Sequence, residues 1–206
     1  MTYNGARRSI FRGRLHDVKI TEHIYFYGEE DGLPIWGMST SNTTAIKGRR
    51  LAIVDPGPSV GPHLMKVRRL MMRDGMAFED VEKIVVTHAH ADHAAAVPRI
   101  AGKLGAAVFA HPIEKRILEK PSRFWREELK AAGPIFDNTM RIPKLLLQAL
   151  FHTALGPHEP SLNVTAVREG DSIDIGIPAN IVELPGHTRG EIGIHLPDDR
   201  ALICGD

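Results

Sequence analysis

The sequence is almost free of cysteine: Cys204 is the only one in 206 residues. A lone thiol excludes an internal disulfide framework and fits a reducing compartment, and Cys204 itself reads as a small buried strand residue. No stretch approaches the ~20 apolar residues that a bilayer-spanning helix needs, so no membrane span is expected. Net charge is nearly absent too, at +1. That removes the broad field that draws proteins onto nucleic acid or anionic lipid, and no nucleic-acid partner is expected. Arg7, Arg8, Arg12 and Arg14 near the N-terminus lack the apolar segment of a secretory signal. Internal repeats and low-complexity tracts are missing, and no serine or cysteine nucleophile stands out with a base. A cytoplasmic soluble enzyme is the default expectation. With 43% hydrophobic residues, positions 1–206 are expected to bury one core as a single domain.

Against these absences one stretch is rich. Residues 83–93 read Lys-Ile-Val-Val-Thr-His-Ala-His-Ala-Asp-His. Ile84, Val85 and Val86 form a β-branched run that predicts a buried strand. His88, His90, Asp92 and His93 then crowd four metal-binding side chains into six residues. Extended backbone puts His88 and His90 on one side, and a turn into helix near His93 would aim Asp92 and His93 at a second, neighbouring point. Neutral imidazoles suit zinc and iron, and a carboxylate adds charge that retains a divalent ion. The ordinary alternative is a surface histidine cluster at a strand end.

Hydrophobic patterning predicts strands at 18–27, 41–47 and 51–54 in a hairpin order typical of an antiparallel layer. A helix follows at 62–74, with Leu64, Val67, Leu70 and Met71 at helical spacing and Gly75 as its stop. Another helix is predicted at 93–104 and a strand at 106–110. This strand, helix, strand alternation marks an α/β protein. His111-Pro112 opens a further helix, and His111 is read as the start of that element rather than as a ligand. Helices are also predicted at 124–129 and 142–155. The second is apolar on more than one face through Leu145, Leu146, Leu147 and Phe151, so it is buried, meets a partner, or covers a pocket. Short strands at 163–167, 172–175, 180–184, 191–196 and 201–204 read as the start of a second sheet.

The run from Thr87 to His93 resembles the H-x-H-x-D-H signature of the metallo-β-lactamase superfamily. Two further segments match in order: Leu184-Pro-Gly-His-Thr188 and Cys204-Gly-Asp206. The resemblance extends from about Val54-Asp55-Pro56-Gly57 to Asp206. It implies an αββα four-layer sandwich, α/β (α+β) in class, with metals at one edge between the two sheets and a helical insertion over 114–160. By the same resemblance His88, His90 and His187 hold one metal, Asp92 and His93 hold the second, and Asp206 lies between them. Asp92 would also handle protons. Asp55 would sit beneath the metal loop and hold the far ring nitrogen of a ligand, although an Asp before Pro-Gly is equally a good turn residue. Trp125 and Phe151 are candidate walls of a lid over the substrate; packing on the domain or a dimer contact is the alternative for that region, and a homo-oligomer is one possible outcome.

Two zinc ions are expected in the full-length protein, with iron or manganese as alternatives. A pair of cations lowers the pKa of a shared water from about 15.7 to about 7, which suits hydrolysis of a small carbonyl substrate: a thioester, lactone or ester, as in the glyoxalase II-like branch. Dinuclear relatives carry a further histidine and further strands beyond the position of Asp206. The second half of the fold is therefore expected to be incomplete here, the sequence to be part of a longer active protein, and this portion to bind metal weakly and fold poorly. Arg189 stands where many relatives have proline and reads as an exposed loop residue. Three competing readings use the same side chains: a phosphodiesterase that processes RNA, a mononuclear iron dioxygenase acting on persulfides, and a non-catalytic metal-binding fragment.

Overall fold

The computed structural model describes residues 17–28, 41–123, 149, 157, 159–161 and 163–206. The expected helix at 124–129 and all but position 149 of the one at 142–155, and with them Trp125 and Phe151, lie outside the described residues.

Among the described residues the chain builds two sheets. The first has seven strands in the order β1-β2-β3-β4-β5-β6-β7: β1 Asp17–Lys19, β2 Ile24–Tyr27, β3 Thr43–Lys47, β4 Leu51–Val54, β5 Val81–Val85, β6 Ala107–Ala110 and β7 Val164–Ala166. β1 to β4 are antiparallel neighbours, whereas β4 to β7 run parallel. The second sheet is antiparallel, in the order β11-β10-β9-β8, from β8 Ser172–Asp174, β9 Pro178–Glu183, β10 Ile192–Leu196 and β11 Ala201–Ile203. Parallel neighbours need helical crossovers. α1 His63–Arg73 joins β4 to β5; α2 Ala91–Ala94 and α3 Val97–Leu104 join β5 to β6; α4 Pro112–Glu119 follows β6.

Alternation along the strands explains the layering. In β4, Leu51 and Ile53 face a core shared with Val67, Leu70 and Met71 of α1 and Val97 and Ile100 of α3. Ala52 and Val54 face the opposite way, into a second core with Ile181 of β9 and Ile192, Ile194 and Leu196 of β10. Among the described residues the order is therefore helices, first sheet, second sheet, three layers of the αββα sandwich expected. No α-helix is described between Val164 and Asp206. Each fully buried isoleucine contributes roughly 1.5–3 kcal/mol, so both faces of the first sheet are held by apolar burial.

Four expectations need correction. The single strand at 18–27 is two strands, because the Thr21 hydroxyl accepts from the backbone amides of His23 (3.2 Å) and Ile24 (3.1 Å) and folds the chain back. The single helix at 93–104 is α2 followed by α3. Pro98 has no N–H to donate and would crowd the carbonyl of a preceding turn, and the Ala96 amide donates instead to Gly57 O at 3.0 Å. The strand at 163–167 belongs to the first sheet, paired parallel to β6. Cys204 is exposed, just past the edge strand β11, rather than buried.

Candidate metal centre

The metal-binding residue types gather at the C-terminal ends of the parallel strands β4 and β5, the usual edge for ligands in open α/β sheets. Asp55 ends β4 in a left-handed conformation, with φ of 50°, a backbone state that asparagine and aspartate tolerate better than most residues. Its amide donates to Val85 O at 3.1 Å, and its carbonyl accepts from the Thr43 hydroxyl at 2.8 Å. Thr87 and His88 leave β5, His90 caps the start of α2, and Asp92 and His93 ride on α2. The loop between β9 and β10 brings His187, tightened by Gly186 N donating to Thr188 O at 3.0 Å. The Ile192 amide donates to Thr87 O at 3.0 Å and stitches the second sheet to this edge. Asp206 arrives after β11. A side chain on Gly205 would lie 2.6 Å from Glu191 Oε1 and 2.9 Å from Thr87 Oγ1, so only glycine lets the chain pass there.

Three ring nitrogens converge. His88 Nε2 lies 3.1 Å from His90 Nδ1, which lies 2.9 Å from His187 Nε2. Beside them His93 Nε2 sits 3.6 Å from Asp92 Oδ2 and 3.4 Å from Asp206 Oδ1. Asp206 Oδ2 is 3.9 Å from His187 Nε2, so its carboxylate spans the two groups. Within each of the sets His88/His90/His187 and Asp92/His93/Asp206, one donor atom per residue falls within 4.8 Å of the others. The Ser41 hydroxyl donates to the Asp92 carbonyl and steadies α2.

Asp55 organises the rings from below. Its Oδ1 accepts from Thr87 N at 2.8 Å, and its Oδ2 accepts from the Thr87 hydroxyl at 2.6 Å and from His93 Nδ1 at 3.0 Å. With its proton committed to Asp55, the Thr87 hydroxyl accepts from His88 Nδ1 at 3.1 Å. This network assigns the far proton of each ring to Nδ1 and turns the Nε2 atoms of His88 and His93 toward the cluster. His93 Nε2 is buried and makes no hydrogen bond. Three neighbouring imidazole lone pairs and a partnerless buried nitrogen flanked by carboxylates are the donor set that a divalent cation satisfies. The residues therefore fit a metal.

Electrostatics differ across the cluster. Burial pushes His88 far below the usual imidazole range, and the neighbouring His93, His90 and His187 add to the effect. Burial acts in the same direction on His93, but the Asp55 hydrogen bond and the charges of Asp55, Asp92 and Asp206 outweigh it and raise its pKa to about 9. Burial raises the Asp92 carboxyl above its ordinary value, against the pull of His93. Glu191 is buried as well and is raised chiefly for that reason, with the Asp206 charge adding to the rise and His187 and the Asp206 and Thr188 backbone amides offsetting part of it.

The structure thus brings together His88, His90, Asp92, His93, His187 and Asp206, and puts Asp55 directly beneath two of the rings. His111 is the helix cap expected, its Nδ1 accepting from Ile113 N at 3.2 Å, and Arg189 is exposed. Sequence reasoning missed Thr87, Glu191 and Glu114, all buried. Glu114 shares a helical face with Ile117 and Leu118 at i, i+3, i+4 spacing, and that was the available signal: a carboxylate on an apolar stripe.

A profile of the family described as "Metallo-beta-lactamase superfamily" matches residues 36–206. An uncharacterized protein of Mycobacterium bovis is 30% identical over 146 residues, 70% of this chain and 54% of that protein. A hydroxyacylglutathione hydrolase of Fuscovulum blasticum is 28% identical over 158 residues, 76% of this chain and 42% of the enzyme. The chain spans about half the length of the curated relatives it matches. In fold it is similar to a metallo-beta-lactamase family protein from Thermus thermophilus, with a TM-score of 0.68 at 23% identity over 90% of this chain and 59% of that one.

Proposed function

The chain belongs to the metallo-beta-lactamase superfamily, and from that membership we propose that the protein containing it is a metal-dependent hydrolase of a small carbonyl substrate, a thioester, lactone or ester. The observation that carries the reading is the approach of His88 Nε2, His90 Nδ1 and His187 Nε2 to 3.1 Å and 2.9 Å. One proton on His90 Nδ1 could serve a neighbour, whereas a cation serves all three lone pairs. His88, His90 and His187 hold one divalent ion; Asp92, His93 and Asp206 hold a second. When bound, such ions supply Lewis acidity that acidifies water and polarises a carbonyl.

The chain's own residues do the rest. Asp55 fixes the ring of His93 directly and that of His88 through Thr87. Asp92, with a carboxyl raised by burial, is placed to take a proton from the attacking water and return it to the leaving group. His187 and Asp206 are the exposed members of the cluster, so substrate arrives from their side. The hydroxyacylglutathione hydrolase among the relatives supports a thioester as the first substrate class to try. A phosphodiesterase needs a basic surface that tracks phosphates. Here Arg50 and Lys83 line a cleft of about 490 Å³ at the N-terminal ends of β5 and β6, the far edge of the sheet, and Arg50 is paired there with Glu82.

The test is a panel of thioesters, lactones and phosphodiesters offered to the full-length protein loaded with zinc, manganese or iron, and again after chelation. Turnover of carbonyl esters that chelation removes is expected. Turnover of phosphodiesters alone, or carbonyl hydrolysis indifferent to chelation, would overturn the proposal.

A further inference from the structure

Glu114 is only 1% exposed, yet it carries a carboxylate on a helix whose other buried side chains are Ile117 and Leu118. Burying such a group is unfavourable unless its lone pairs are engaged. They are engaged by three donors, all from outside its own helix. Ala89 N donates to Oε2 at 2.9 Å, and the Thr188 hydroxyl and Gly190 N donate to Oε1 at 2.9 Å and 3.1 Å. Ala89 separates His88 from His90, and Thr188 directly follows His187. One oxygen therefore grips the segment that supplies two imidazoles, and the other grips the segment that supplies the third.

The surroundings are built to keep that carboxylate in place. A side chain on Gly190 would fall 2.7 Å from Glu114 Oε1 and 2.7 Å from His111 Nδ1, so the backbone reaches the carboxylate only because no Cβ intervenes. His111 caps α4 through Ile113 N and meets Glu183 Oε1 through Nε2 at 3.1 Å, tying the start of the helix to the end of β9. The helix is thus braced against the same strand that leads to His187.

We propose that Glu114 is a positioning residue that sets the distance between the His88–His90 segment and the His187 loop, and so tunes the trio for its cation. It acts through Ala89 and Thr188 and stands outside the ring of ligands. The inference rests on the metal reading of the site given above. Glutamine at this position keeps the size but has one carbonyl oxygen, and its amide group must face either Ala89 N or the Thr188 and Gly190 donors. One of the two grips is lost.

The experiment is a Co2+ titration of the wild-type protein, Glu114→Gln and Thr188→Val, read by visible absorption and affinity, with circular dichroism of the metal-free forms. Glu114→Gln is expected to weaken the first cation by ~10–100-fold, the range found when groups supporting metal ligands are removed, and to change the Co2+ bands. Thr188→Val, which removes a single bond to Oε1, should move both readouts less and in the same direction. A purely structural role would lower folding stability and leave the spectrum of the folded, loaded protein unchanged. A folded Glu114→Gln with wild-type affinity and bands overturns the proposal. If Glu114→Gln does not fold, wild-type affinity and bands in Thr188→Val overturn it. Failure of the wild type itself to take up Co2+ would instead bring down the metal reading, and this inference with it.

Discussion

The two halves of the cluster use the same residue type to opposite ends. His88 and His93 are both buried, their ring centroids are 4.1 Å apart, and Asp55 supports both. Yet His88 is pushed far below the usual imidazole range, while His93 is raised to about 9. The difference lies in what each ring meets. His93 donates directly to the Asp55 carboxylate and faces Asp92 and Asp206, whereas His88 reaches Asp55 only through a neutral hydroxyl and is surrounded by other imidazoles. Burial is common to both; charge within reach decides the sign. Within the trio half, His88 therefore presents a neutral lone pair ready for a cation. The acidic half holds a proton that a cation must displace.

The largest effect expected bears on the acidic half. Asp92→Asn removes the carboxylate placed to move protons, and kcat should fall by ~10²–10⁴-fold, the usual worth of such a group, with the circular dichroism of the wild type retained. Surviving activity would put the proton handling elsewhere. Next comes pH. Below about 9, His93 is protonated, and its proton must leave before the imidazole binds metal. Affinity of the acidic half should thus climb by roughly tenfold per pH unit from 7 toward 9, about one proton being released per ion. The trio, with His88 already neutral, should change less. Calorimetric titrations in buffers of different ionisation enthalpy would show the split, and equal pH slopes for the two ions would erase it.

Asp55→Asn sharpens the contrast from beneath. It removes the anionic acceptor of His93 Nδ1, so the His93 pKa should drop and proton competition at neutral pH should ease. Above pH ~9, where that competition is gone in both proteins, metal affinity should fall by ~10–100-fold, more at the acidic half than at the trio. Two-site zinc binding isotherms would measure both. The smallest effect is expected from Cys204→Ser. This exposed thiol stands two residues before Asp206, and stability should move within about ±0.5 kcal/mol with metal stoichiometry unchanged. A lost ion would mean that thiolate takes part in the acidic half.

Four of the six ligand-type residues were legible because they are local, while His187 and Asp206 came only from the family resemblance. His88, His90, Asp92 and His93 fall in one short run, and the direction of their rings follows from the end of β5 and the start of α2. Of the supports, Asp55 was expected from the family resemblance, whereas Thr87, Glu191 and Glu114 were missed. The distance between partners hides them: Glu114 meets Thr188 and Gly190 across 74 and 76 residues, and Thr87 meets Asp55 across 32. Strand pairing is nonlocal for the same reason. Nothing within 163–167 tells β7 to join β6 in the first sheet rather than begin the second. The break between α2 and α3 was the readable miss, since Pro98 marks it.

The central claim is that the imidazoles of His88, His90 and His187 share one cation. The most direct measurement is the zinc-edge X-ray absorption spectrum of the protein loaded with a single equivalent of zinc. The account predicts a shell with about three imidazole nitrogens at ~2.0–2.1 Å, and loss of imidazole scattering in His187→Ala. A shell of oxygens only, or one unchanged by His187→Ala, would contradict it.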